Sequence, residues 1–436
     1  SVPGQMRGLF STAAIILVPA AGLLLIGAYI AGSTPWVHAR VRDAAARYLA
    51  DTTGREVRVG PVSGNLLNDL RVHGLAVAAV DGRSVDDGAV LSARDLYIHL
   101  NLLDIIRNRT APAAAVSRVL IDGLRADVLR RRDGTLNIAD LLPPPGAPAP
   151  PEKRFAGRIT VTNASVHYTD EALLHHGETV SVTLEPLDAT VDMTGRGRVV
   201  VTLDGADDDL LGRVAAQMTY KSDTEELALD TDISALDLAW AHGRLWPSAG
   251  LRVTDGLARV RASLVRSGEN DAAALGYSAH ADVYPSTVSV RGLSPSNLRA
   301  HGQLWVTPQG LYTDRLEVEW AGSNVVVDGG MAGFREPALD FHVHAPSLNV
   351  AGLLAALPPT TRAQLPDFAI DGPVSVEADI SGSLEHAGVQ AVVALPDALT
   401  VRPDHRAVVT GREVELDISL MDLAGPAGRA TLSLGT

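Results

Sequence analysis

The sequence contains no cysteine in its 436 residues. Disulfides, thiolate metal centres and cysteine nucleophiles are therefore excluded together. Lysine is almost as scarce, since only Lys153 and Lys221 of the 37 basic residues are lysine, and neither sits in a G-x-x-x-x-G-K-[ST] phosphate loop. Aromatic residues make up 4%, too few for a large closed core of the ordinary kind, which draws much of its buried area from Phe, Trp and Tyr. Positive charge is in the minority, with 37 basic against 51 acidic residues and a formal charge of −14. That balance opposes a surface built to neutralise a phosphate backbone, so no nucleic acid partner is expected. Neither H-E-x-x-H nor G-x-S-x-G occurs. The expectation is a protein that is not an enzyme and carries no cofactor or metal.

Three side-chain clusters bear on that expectation. His342-Val343-His344 places two imidazoles on one face of a strand, with His175-His176 as a third-ligand source, but histidines on the solvent face opposite Phe341 and Val343 are the simpler reading. Asp207-Asp208-Asp209 lacks the spaced oxygen ligands and glycine turn of a calcium loop. Arg130-Arg131-Arg132 suits either anionic headgroups or protection of a strand edge.

What the sequence does have begins at its N-terminus. Between Arg7 and Arg40 lie 32 residues without a formal charge, and Leu9 to Ile30 is almost wholly apolar. Those 22 positions, at about 1.5 Å each, would span a bilayer core as a helix. Leu9, Ile15, Leu17, Leu24 and Ile26 supply the apolar surface, and Tyr29 and Trp36 fall where interfacial aromatics belong. Residues 1–34 are thus expected to be a transmembrane anchor. Arg7 precedes the run while Arg40, Arg42 and Arg47 follow it, so local charge does not fix the orientation.

Thr34-Pro35 then predicts a helix start, with Val37, Val41, Tyr48 and Leu49 at helical spacing up to Gly54. From Arg55 the period changes to two. Val57/Val59, Leu75/Val77, Leu96/Ile98/Leu100, Val119/Ile121 and Leu124/Ala126/Val128 predict half-buried strands, with Asp81-Gly82, Asp122-Gly123 and Asp133-Gly134 as turns. Asn101–Arg107 predicts a short helical insertion. Residues 143–151 hold six prolines in nine positions and predict an extended linker, taken as 143–153, between a β region at 35–142 and a longer one at 154–436. In the longer region alternation continues through Val180/Val182/Leu184, Val199/Val201/Leu203, Val214/Ala216/Met218, Leu316/Val318 and Leu339/Phe341/Val343.

An internal echo points to a repeat. Thr254 to Leu264 matches Ile370 to Ile380, and upstream of each lies Leu236-Asp237-Leu238-Ala239 or Leu348-Asn349-Val350-Ala351, the second expected to open a helix capped by Ser347. The shared apolar phase nominates Val260, Ala262, Leu264, Val374, Val376, Ala378 and Ile380 as lining an apolar groove. Such a groove could take acyl chains, at about 0.8 kcal/mol per buried CH₂.

From Val41 to Leu142 the sequence resembles the AsmA-like superfamily, most closely the N-terminal part of TamB-type proteins, the inner-membrane components of translocation and assembly modules. The likeness is carried in order by Tyr48 to Val57, Gly64-Asn65-Leu66-Leu67-Asn68-Asp69-Leu70 to Leu75, Leu91 to Leu96, Ile121-Asp122-Gly123-Leu124 and Asp133-Gly134-Thr135 to Leu142, and more weakly by Leu236 to Trp246 and the strands near Gly256 and Gly372. The resemblance implies a mainly β protein: an N-terminal transmembrane helix, then an elongated, repetitive antiparallel sheet folded into a taco-like groove. It further implies a single-pass protein of the Gram-negative inner membrane with its bulk in the periplasm. Its implied role is to guide phospholipid towards the outer membrane, in support of outer-membrane biogenesis. The alternative is a scaffold or chaperone for outer-membrane protein or autotransporter assembly by strand-edge pairing. Nothing resembles the C-terminal domain through which a TamB-type chain would engage a TamA-type barrel, so that partner is expected only of a longer chain. The sequence is expected to be a fragment or a shorter AsmA-type member.

Overall fold

The computed structural model describes residues 34–65, 68–79, 84–101, 116–141, 156–175, 178–207, 209–245, 251–266, 275–290, 297–356, 374–383, 387–394, 413–420 and 428–434. Residues 1–33 of the expected anchor, 102–107 of the expected helical insertion, the Asp81-Gly82 turn and the proline-rich linker lie outside them, including the anchor positions Leu9, Ile15, Leu17, Leu24, Ile26 and Tyr29. No helix among the described residues is long and apolar enough to cross a membrane.

The chain is mainly β. It opens with α1 (Pro35–Thr53), which has Thr34 at its N-cap, proline in its first turn and Gly54 at its C-cap in the left-handed region (φ 66°), donating its N–H to the Ala50 carbonyl at 2.8 Å. The helix turns Leu49 towards Val57, Val77 and Val90. Tyr48, expected on the same face, instead points outwards at 70% exposure, as does Trp36 at 67% with Arg40 over its ring.

The strands that follow are β1 (Val57–Val59), β2 (Val62–Gly64), β3 (Asp69–Ala78), β4 (Ala89–Leu100) and β5 (Val116–Arg130), then β6 (Arg158–His175), β7 (Glu178–Asp192), β8 (Arg198–Asp207), β9 (Gly212–Lys221) and β10 (Glu226–Asp237). After α2 (Leu238–Leu245) come β11 (Leu251–Asp255), β12 (Leu257–Arg266), β13 (Leu275–Val290), β14 (Asn297–Thr307), β15 (Gly310–Trp320), β16 (Ser323–Ala332) and β17 (Ala338–Leu348). After α3 (Val350–Ala356) come β18 (Val374–Ser383), β19 (Ala387–Ala394), β20 (Glu413–Leu420) and β21 (Gly428–Leu434). Two compact units divide the chain: the first runs to Leu174 and adds Glu178–Asp207 and Thr219–Asp223, and the second holds His175–Gly177, Asp208–Met218 and everything from Thr224.

In the first unit β1 and β2 both pair with β3, and β3, β4 and β5 form an antiparallel run. The expected antiparallel order is interrupted at the next step, because β5 and β6 are parallel, in register from Arg118↔Arg158 to Arg130↔Asp170. Parallel neighbours need a long crossover, and the stretch of chain between Arg130 and Arg158 is long enough for one. Asp133-Gly134 forms the expected turn, with Gly134 N–H on the Arg131 carbonyl at 2.8 Å. Asp122-Gly123 does not: it lies inside β5, where Gly123 (φ 66°) and Asn163 of β6 (φ 53°) kink both strands at one level and the Asn163 amide donates to Asp122 at 2.7 Å. The apolar core of this unit joins Val57, Val77 and Val90, covered by Leu49 of α1 together with Ile138 and Leu141.

In the second unit β10 pairs with β12, β11 and β12 with β13, and each strand from β13 to β21 with the next, all antiparallel. Register shifts interrupt the ladders β13–β14, β14–β15, β15–β16, β16–β17 and β17–β18. Bulges of this kind bend strands and sharpen their twist. At one of them Gly329 (φ 115°) lies so near the neighbouring strand that a Cβ would sit 2.1 Å from the Asp340 carbonyl oxygen.

Candidate functional site

The internal echo is a duplication in three dimensions. In the first copy β10 meets β12 through Thr231↔Ala262, Ile233↔Val260 and Leu236↔Ala258, with a shift between Ile233 and Leu236. In the second, β17 meets β18 through Val343↔Ala378, Ala345↔Val376 and Leu348↔Val374, with the shift at the matching place between Ala345 and Leu348. The helix between the strands is capped alike. The Asp237 carboxylate accepts from the Trp240 N–H at 2.7 Å, and the Asn349 side chain accepts from the Gly352 N–H at 2.9 Å. Ser347, expected as the second cap, lies within β17 opposite Asn324, because the strand runs on to Leu348 before the helix begins.

Residues directly opposite each other in a ladder share a face of the sheet. Followed from strand to strand, the registers join Leu236, Ala258, Val283, Gly302, Leu316, Val327, Val343, Ala378, Ala391, Leu416 and Leu432 into one row across eleven strands, each position an aliphatic residue or glycine. A flanking row runs Phe341, Ile380, Val389, Ile418 and Ala430, and another Ala345, Val376, Val393, Val414 and Leu434. The seven nominated residues all lie on this face: Val260, Ala262 and Leu264 by alternation from Ala258, and Val374, Val376 and Ile380 by alternation from Ala378.

Burial along this face is confined to small side chains. The buried apolar residues described in the second unit are Ala241, Ala258, Ala345, Val374, Ala378 and Ala387. Val260, Ala262, Leu264, Val376 and Ile380 are half-buried, as are Leu316, Val327 and Val343. Those larger members of the row therefore keep part of their apolar area open.

The reverse face carries charge. Asp328, His342, Asp379, Gln390 and Asp417 form a register row there, with His344 opposite Glu377 beside it. His342 Nδ1 lies 2.8 Å from an Asp379 oxygen, and that hydrogen bond, with the charges of Asp328 and Glu377, holds the imidazole pKa above its usual value against the smaller effect of burial. His344 Nδ1 lies 3.5 Å from Glu377. The two histidines are thus engaged with carboxylates across the strand pair, and no group of three metal-ligating residues occurs among those described. The side chains of His175 and His176 lie outside the description.

The other charged clusters are held by local partners. Arg130 reaches the buried Asp170 at 3.2 Å, where Tyr168 also donates its hydroxyl at 2.8 Å. Asp207 is buried and accepts from the Thr183 N–H at 3.3 Å. Recesses of about 330, 640 and 440 Å³ line open strand surfaces, and none of the seven nominated residues borders them.

No family model, curated protein or solved structure matches this chain. What the sequence alone did not reveal is the row. Alternation identifies which residues of one strand share a face, but the joining of eleven strands depends on registers and bulges that follow from turn lengths.

Proposed function

We propose that the chain is an inner-membrane-anchored protein of the AsmA/TamB type that guides phospholipid acyl chains along the apolar face of its second unit. The observation that carries the reading is the eleven-strand apolar row, in which Leu316, Val327 and Val343 are only partly buried. An apolar face of that extent calls for a cover, and acyl chains gain about 0.8 kcal/mol per CH₂ when it covers them. Tails would slide between equivalent aliphatic positions while headgroups stay in water, so no cofactor or chemical step is needed. Mid-strand bulges support a sheet folded lengthwise, since each bends its ladder. The uncharged run before Arg40 supports anchoring in a bilayer, and the ordered segments between Tyr48 and Leu142 support the family and with it a periplasmic setting.

The experiment is lipid passage between donor and acceptor vesicles bridged by the protein. Val376→Asp puts a carboxylate on the apolar face and is expected to lower passage at least about tenfold, the effect of an uncompensated charge on an apolar path. Unchanged passage in a folded Val376→Asp protein refutes the conduit. Loss of passage on placing a proline in β21, with Val376→Asp silent, would favour the strand-edge scaffold instead.

A further inference from the structure

In the first unit three neighbouring strands bring together a serine, a histidine and an aspartate that no sequence motif connects. Ser63 lies in β2, His73 in β3 and Asp95 in β4. Ser63 Oγ is 3.1 Å from His73 Nε2, and His73 Nδ1 is 2.9 Å from Asp95 Oδ1. The order of atoms is that of an acyl-transfer triad: with Nδ1 protonated and donating to the carboxylate, Nε2 is left to accept the serine proton. We propose that Ser63 is an activated nucleophile that takes up an acyl group from carboxylic esters.

The surroundings suit each role. Asp95 is the most sheltered of the charged partners, and its Oδ1 also accepts from Arg71 Nε at 3.2 Å. The Arg71 hydrogen bond, with a smaller contribution from His73, holds the Asp95 carboxyl below its usual range against burial, so it stays an anion able to orient the ring and stabilise an imidazolium. Arg71 stands directly opposite Ser63 in the ladder, on the same face, its guanidinium resting 4.7 Å over the Tyr97 ring. It supplies positive charge beside the carbonyl oxygen of an ester attacked by Ser63. The end of β2 is fixed from α1, where His38 Nε2 lies 3.0 Å from the Gly64 carbonyl oxygen.

The step balances without another reagent. Ser63 Oγ forms a bond to the ester carbonyl carbon as His73 Nε2 takes its proton. The carbon–oxygen bond to the leaving group breaks, and the same proton passes to the departing alkoxide. Water, deprotonated by His73, then releases the carboxylic acid and restores Ser63. The site is open on the sheet face, so small esters with good leaving groups are the expected substrates, with acylation faster than deacylation.

The test is labelling of the full-length chain with a fluorophosphonate probe, the adduct located by mass spectrometry, together with the burst of p-nitrophenol from p-nitrophenyl acetate. The expected result is an adduct on Ser63 that Ser63→Ala abolishes and a labelling rate that His73→Gln lowers about 100-fold or more. Asp95 is a positioning residue: Asp95→Asn, which favours the tautomer with Nε2 protonated, should lower the labelling rate, and the conservative Asp95→Glu should restore it. No adduct on the folded parent protein, equal labelling of Ser63→Ala, or a His73→Gln rate within twofold of the parent overturns the proposal.

Discussion

The two units treat the same raw material in opposite ways. The first closes its apolar face: Val57, Val77 and Val90 are buried and covered by Leu49, Ile138 and Leu141, and Leu70, Val72, Val180 and Leu187 are buried as well. The second buries alanines and a single valine among its described residues and leaves Leu316, Val327 and Val343 half open along the row. Alternation alone does not separate them, since both consist of aliphatic strands. The difference lies in the cover. A helix with Leu49 on its inner side and a returning segment with Ile138 and Leu141 lie over the first unit's face. A covered aliphatic face is a core, and the proposed function takes the row of the second unit for a surface that an apolar ligand covers.

The sharpest way to break this contrast is to place one charge on each face. Val77→Asp buries a carboxylate without a partner and should cost about 4 kcal/mol, unfolding the first unit at lower urea concentration. Leu316→Asp, on the half-open row, should cost less than about 2 kcal/mol. Equal losses in urea titrations would mean that the row is a closed core after all.

The duplication offers a finer test within the second unit. Asp237→Ala and Asn349→Ala each remove the acceptor for one helix N–H and should each cost about 1 kcal/mol, read by thermal melts. A cost at one position only would show that the two copies do not share the same cap.

The smallest effect concerns the reverse face, where the copies differ in chemistry. The first pairs Arg259 with Asp232 at 2.6 Å, and the second pairs His342 with Asp379 at 2.8 Å. The His342 pKa is raised in the folded protein, so its contribution is complete below the unfolded histidine value and is lost as pH rises through the folded one. The Asp232 carboxyl is lowered, chiefly by its hydrogen bond to Arg259, so that pair weakens only as pH falls into the acid range. Hydrogen exchange should show the β17–β18 amides slightly better protected at pH 5 than at pH 8, with the β10–β12 amides unchanged. Greater protection of β17–β18 at pH 8 would reverse the assigned sign.

Much of this was legible in the sequence. The helix after Thr34-Pro35 and its stop at Gly54 follow from capping chemistry, and the strand phases hold at Val57/Val59, Leu316/Val318 and Leu339/Phe341/Val343. The repeat was readable because the two copies keep Val260 and Val376, and Ala262 and Ala378, in the same phase. The parallel pairing of β5 and β6 was not, since a proline run reads as a boundary whether or not the strands beside it return to pair. Asp122-Gly123 misled for a related reason: the pair that makes a turn can equally kink a strand when the next strand kinks with it. Ser63, His73 and Asp95 stayed hidden because no spacing rule relates residues on three strands until their register is known.

The central claim is that the row is a one-sided apolar surface occupied by lipid. A photoreactive residue placed at Val376, with Glu377 on the reverse face as control, in the full chain within phospholipid membranes, tests it most directly. The account predicts phospholipid crosslinked at Val376 and not at Glu377. Equal labelling at the two positions, or none at Val376 while β18 is folded, would contradict it.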